Sequence, residues 1–240
     1  MPNMILPGVG IIDPRALLAA IAAEIGTATD HKAARAVAVR HMAEAKARAN
    51  AALEAAFTKS PLKSRPLTHA QVYLTDGLVM TALEVARQYL HPLPNPTEAE
   101  RIAVLAVGGY GRAEMAPQSD VDLLFLTPWK ITRWAESVIE SMLYMLWDLK
   151  LKVGHASRTV KDCIRLGRED ITIRTALLEH RFIVGDASLA TELNDKLWSD
   201  LFRNTGPEFI EAKLLERSER HRRRGGQRYV LEPNVKEGKG

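Results

Sequence analysis

The sequence predicts an α+β protein, and three observations carry that reading. Two short apolar runs, at about 102–107 and 121–126, are bounded by glycine or polar residues, as strands are. Ahead of them the chain is rich in alanine and in apolar residues at helical spacing, with recognisable helix starts and stops. Behind them, from about residue 132, the spacing turns helical again apart from one short polar strand.

Each element has a local cause. Asp13 followed by Pro14 reads as a cap and a first helical position, opening a helix through Leu17, Leu18 and Ile21 that ends near Gly26. Asp30 opens a second helix, with good helix formers between Ala33 and Ala56. Pro61 and Pro66 then interrupt. Thr68 is expected to cap a third helix carrying Val72, Val79, Leu83 and Leu90, and the prolines of 91–96 stop it. Strands follow at about 102–107 and 121–126, separated by a glycine turn. A helix from Thr132 to Leu149 presents Trp134, Val138, Met142, Met145 and Leu146 as one stripe, read as packing against a sheet. A third strand spans Val153 to Arg158, and Thr159 caps the next helix. Further helices are expected at about Asp170 to Ile183, Ser188 to Phe202 and Pro207 to Arg223. The proline segment gives the clearest boundary, so the regions are read as helical 1–95, core 96–186 and helical 187–240.

Composition narrows the function classes. The 240 residues are 46% hydrophobic, enough for a proper core. The net charge is +4, yet from Arg217 onward there are eight basic and three acidic residues, so the first 216 are nearly neutral. The basic pI therefore belongs to the tail. With aromatic content of 6%, a stacking surface for nucleic acid is weakly supported. The single Cys163 excludes an internal disulfide or a multi-cysteine zinc site, and it reads as a small buried apolar group. No apolar stretch approaches the roughly twenty residues of a membrane span, and the start lacks a secretory pattern, so a cytoplasmic location is expected.

The most informative stretch runs from Ile102 to Leu126. If Val121–Leu126 is a strand, Asp120 and Asp122 project to one face, while Val121 and Leu123 face protein. Adjacent carboxylates repel unless a cation lies between them, and oxygen-only ligands suit Mg²⁺ held with substrate phosphates. Gly108 and Gly109 let backbone approach a triphosphate and offer it N–H groups. Ser119 adds a hydroxyl. Asp-x-Asp alone is common on solvated loops; it is the whole unit that reads as a metal-dependent phosphoryl-transfer site. Arg112 is placed to neutralise a phosphate or to form a surface ion pair. His155 and Arg158 on the third strand reach the nucleotide or are polar strand residues satisfied locally.

Apolar run, Gly-Gly, polar turn and Asp-Val-Asp opening a second run resemble the polymerase-β-type nucleotidyltransferase superfamily. Within it, Val107-Gly-Gly-Tyr-Gly-Arg112 and Ser119-Asp-Val-Asp-Leu-Leu124 resemble the amino-terminal domain of the bifunctional PII uridylyltransferase/uridylyl-removing enzymes of bacterial nitrogen control. Segments 146–159, 178–186 and 227–240 agree, so the resemblance covers roughly 70–240. It implies a small mixed-sheet nucleotidyltransferase core flanked by helices. It also implies Mg²⁺-dependent transfer of UMP from UTP to a tyrosine of the PII signalling protein, with pyrophosphate released. Catalytic and metal roles fall on Asp120 and Asp122, and nucleotide binding on Gly108, Gly109, Arg112, Ser119, His155 and Arg158. Two departures stand out. Ala113 replaces a glycine common in the family, which is harmless if the backbone there is not left-handed. Many nucleotidyltransferases carry a third carboxylate on a later strand, but 151–158 offers Gly154 and His155 and no acid; Asp148 is nearest, at a predicted helix end.

Competing motifs fail. Glu114 stands where a dinucleotide fingerprint needs its third glycine, and there is no P-loop. None of the seven histidines begins His-Glu-x-x-His or precedes aspartate, so the metal phosphohydrolase pair of the uridylyl-removing activity is missing from these residues. The chain is expected to be an isolated or truncated transferase domain. A different nucleotidyltransferase, adding AMP, and a non-catalytic nucleotide-sensing or interaction domain are the alternatives. The basic run at 220–224 is read first as a solvated face.

Overall fold

In the computed structural model the described residues are 3–26, 30–203 and 205–223. Three helices come first: α1 (Pro14–Ile25), α2 (His31–Lys59) and α3 (Ser64–Val85). Asp13 accepts the N–H groups of Arg15 and Ala16, and Asp30 accepts that of Ala33, so both expected caps are made. Helix α2 buries Ala34, Ala38, Met42, Ala45, Ala49 and Leu53, a stripe of mostly small residues along one side. Helix α3 begins before Thr68. Pro66 sits in its first turn, where a missing N–H costs nothing, and the Thr68 hydroxyl instead donates to the Arg65 carbonyl at 2.8 Å. The helix closes through a π-type turn at Ala86–Leu90.

The core that follows is a mixed four-stranded sheet. Strands β1 (Ala103–Ala106), β2 (Val121–Thr127), β3 (Val153–Thr159) and β4 (Arg181–Gly185) lie in the order β3-β2-β1-β4. β1 runs antiparallel to β2 and β4, and β2 runs parallel to β3. A helical turn, α4 (Gly108–Gly111), joins β1 to β2, and helix α5 (Arg133–Asp148) makes the crossover from β2 to β3. Helices α6 (Val160–Glu169), α7 (Ile171–Leu178), α8 (Ala187–Lys196) and α9 (Gly206–Arg223) complete the described chain.

Strand alternation splits the sheet between two cores. Val104, Ala106, Leu123 and Phe125 join α5 and the three N-terminal helices in one apolar cluster, which includes the expected stripe members Val138, Met142, Met145 and Leu146. Ala103, Leu105, Leu124 and Leu126 join Cys163, Ile164, Leu189 and Leu193 of α6 and α8 in the other. Both faces of β1 and β2 are covered, which explains why they read as unbroken apolar runs rather than alternating ones. Cys163 is fully buried, and burial pushes its thiol up to about 12, in keeping with a packing role.

One expected helix ends early. Helix α7 stops at Leu178, and Arg181–Gly185 pairs with β1 as β4, so 181–183, anticipated as the end of that helix, are strand. Asp170 caps α7 through the N–H groups of Thr172 and Ile173, but Arg-Phe-Ile-Val is too short a run to announce its period. No helix among the described residues is long and apolar enough to cross a membrane.

Candidate active site

The Gly-Gly turn takes the form of one helical turn. Gly108 has φ +60, a conformation that a side chain makes costly, and the N–H groups of Gly111 and Arg112 return to the carbonyls of Val107 and Gly108. The first N–H groups of such a turn have no partner within it and face outward from its start. Val107 donates to the Asp122 carbonyl at 3.0 Å, which holds the turn against β2. Ala113 is left-handed, with φ 62, so the condition under which it would be harmless is not met. That residue carries a cost of about 1–2 kcal/mol relative to glycine.

Asp122 sits between two glycines. Its Oδ2 is 3.5 Å from where a β-carbon of Gly108 would stand, and its Oδ1 is 2.6 Å from that of Gly154, its register partner on β3. A cavity of about 260 Å³ opens there, bordered by Gly108, Asp122, Gly154 and Arg158 and by Thr172, Ile173 and Ala176 of α7. Of the nucleotide-binding candidates, Gly108 and Arg158 are thus brought together with Asp122. Asp120 enters β2 two residues earlier, half-buried and on the Asp122 face by strand alternation, but outside this cavity wall.

The remaining candidates are placed differently. His155 borders the cavity, but its ring lies across the sheet from Asp122, 6.4 Å from the Phe125 ring and 6.3 Å from Trp147. Its register partner Leu123 faces the same way. Arg112 is ion-paired to Glu179 at 2.6 Å and to Glu114 at 3.7 Å. Gly109 lies beside the Glu114 carbonyl, and Ser119 lines a different cavity, with Gln118 and Val121. Asp148 ends α5 and pairs with Arg35 at 3.3 Å. Among the described residues no three of His, Cys, Asp and Glu cluster as a metal site. The basic run enters α9, while Arg224 and the segment 227–240 lie outside the described residues.

One supporting network was not read from the sequence. Arg181 of β4 grips Asp76 of α3 with two bonds, of 2.8 and 3.0 Å, and the Tyr110 hydroxyl donates to the same carboxylate at 2.7 Å. The guanidinium also lies 5.4 Å from the centre of the Tyr110 ring and reaches its carbonyl at 3.4 Å. Burial raises the Tyr110 phenol well above its ordinary pKa, and the Asp76 charge adds to this, so it stays a donor. The glycine turn is therefore pinned from beneath by residues 34 and 71 positions away.

Over 99% of its length the chain is 72% identical to a bifunctional uridylyltransferase/uridylyl-removing enzyme of Cereibacter sphaeroides. Over 96% it is 60% identical to one of Ruegeria pomeroyi, and 49% identical to one of Erythrobacter litoralis. By sequence, the chain is closely similar to one stretch of these enzymes. A family described as GlnD PII-uridylyltransferase also matches residues 208–240. The chain spans about a quarter of the length of the relatives it matches, 26% and 25% for the first two.

Two outcomes test the site's construction. Gly154→Ala should fold normally, since only a carboxylate tip must yield, and a crystal structure of the variant should show the Asp122 carboxylate displaced by about an ångström, to ordinary contact distance. Asp76→Asn should lower stability by about 2–3 kcal/mol, below the ~3–5 of a fully buried pair because water reaches part of Arg181. Thermal unfolding would then fall by roughly 5–10 °C. Parent-like melting would show that the network does not hold the turn.

Proposed function

We propose that this chain is the nucleotidyl-transferring region of a uridylyltransferase, moving UMP from UTP to a tyrosine of a PII signalling protein. The carrying observation is Asp122, set between Gly108 and Gly154 on the inner strand β2 beside an Arg158-bearing cavity, in a chain closely similar to enzymes of that name. In this reading 96–186 form the transferase core, the described helices of 1–95 brace one face of its sheet, and α8 of the 187–240 region packs on the other. AMP transfer and nucleotide sensing share the carboxylates, but no observation favours them.

The donor set suits Mg²⁺. Asp120 and Asp122 offer only oxygen ligands on one strand face, and the space kept at Gly154 lets the Asp122 carboxylate lie over β3 at the cavity wall. Bound there, the cation would neutralise phosphate charge and so ease attack on the α-phosphorus. The chain's own groups do the rest. Outward N–H groups at the start of the glycine turn orient the terminal phosphates, and Arg158 adds positive charge on the same face. Thr172, Ile173 and Ala176 of α7 wall the cavity and exclude water from the nucleoside end. The acceptor phenol oxygen bonds to the α-phosphorus as its proton passes to solvent water, and pyrophosphate departs with the electrons of the broken P–O bond.

Labelled UTP, ATP and a purified PII protein test this directly. Label from UTP alone should appear on PII, and Asp122→Asn should reduce it at least about a hundredfold while melting like the parent. Label from ATP would favour adenylyl transfer. Nucleotide binding with no labelling would favour a sensor.

A further inference from the structure

A second cavity, of about 790 Å³, lies on the Leu123 side of the sheet, between the N-terminal helices and the loop that leads into Asp120. Its size is that of a small-molecule site. Two kinds of wall meet in it. Leu53 and Phe57 of α2, Met115 of the loop and Leu151 ahead of β3 supply apolar surface, while Lys46, Lys150 and Lys152 supply three cations against one acid, Glu54.

Lys46 donates to the Leu149 carbonyl at 2.7 Å, which uses one of the three donors of an ammonium. Burial lowers its pKa, because the charge has lost part of its water without gaining an anion. Two residues of this wall, Gln118 and Lys150, also hold left-handed backbone, with φ 65 and 60. Such strain persists only where surrounding structure fixes it. Much of the remaining lining is uncharged and polar, Asn50, Gln71, Thr75 and Ser119 among it, so three cations face a single acid beside the apolar wall.

We propose that this cavity binds an amphipathic anion, an acyl or aryl carboxylate whose apolar body lies on Leu53, Phe57 and Met115 and whose head meets Lys46, Lys150 and Lys152. The site is separate from the Asp122 cavity and does not rest on the proposed transferase reaction. Its loop wall continues from Ser119 straight into Asp120, so an occupant would press on the strand that carries the carboxylates.

Ligand-detected NMR and calorimetric titration of the 240-residue chain with decanoate, below its micelle concentration, test the proposal. Decanol, with the same body and no charge, and inorganic phosphate, with charge and no body, are the comparisons. Decanoate should bind saturably at one per chain, and both comparisons at least tenfold more weakly. Lys46→Met should weaken decanoate at least tenfold; because it also loses the bond to Leu149, Lys152→Met, at an exposed position, gives the same test without touching the helix packing. Decanol binding as tightly as decanoate, absence of saturable binding, or unchanged affinity in Lys152→Met would overturn the site.

Discussion

The ion pair between Asp76 and Arg181, shared by the Tyr110 hydroxyl, is the constraint on which the rest of the structure turns. It joins three segments far apart in the chain: an N-terminal helix, the glycine turn and the last strand. Such a pair adds little net stability when compared with apolar packing, but it fixes geometry, because either charge left alone would be costly. Here what it fixes is the turn whose Gly108 abuts Asp122. The helical N-terminal region is thus part of how the site is built, and its apolar residues share one continuous core with the underside of the sheet.

The period of a strand then divides the chemistry. Asp122, Gly154 and Arg158 fall on the face toward α6–α8, while Leu123, His155 and Phe125 fall on the face toward α5. Two buried layers hold β2 from both sides, so its one half-buried carboxylate is carried on a rigid support. The glycines on either side of that carboxylate act differently: Gly154 leaves space for an oxygen where a side chain would intrude, while Gly108 supplies the positive φ of the turn.

Much of this was legible in the sequence. Asp13 and Asp30 announced their helices, and the stripe on α5 named its buried members, because caps and 3.6-residue spacing are local signals. The two central strands were readable as apolar runs since both of their faces are covered. What failed was non-local. β4 is five residues following a helix, and only its pairing with β1 makes it a strand. His155 borders the Asp122 cavity, but its ring takes the Leu123 face of the sheet, which only the register shows. Arg112 finds Glu179 and Arg181 finds Asp76 across separations of 67 and 105 positions, which no window of sequence can display. Ala113 turned left-handed because the chain must reverse after the glycine turn, whichever residue stands there.

The central claim is that Asp120 and Asp122 jointly hold a divalent cation at the glycine-lined pocket. Anomalous diffraction from crystals grown with Mn²⁺ and a UTP analogue carrying nitrogen between its α and β phosphorus atoms measures this most directly. The account predicts a manganese peak about 2.0–2.3 Å from oxygens of both carboxylates and in contact with the phosphates. A peak bound by neither aspartate, or carboxylates pointing apart with the nucleotide in another cleft, would contradict it.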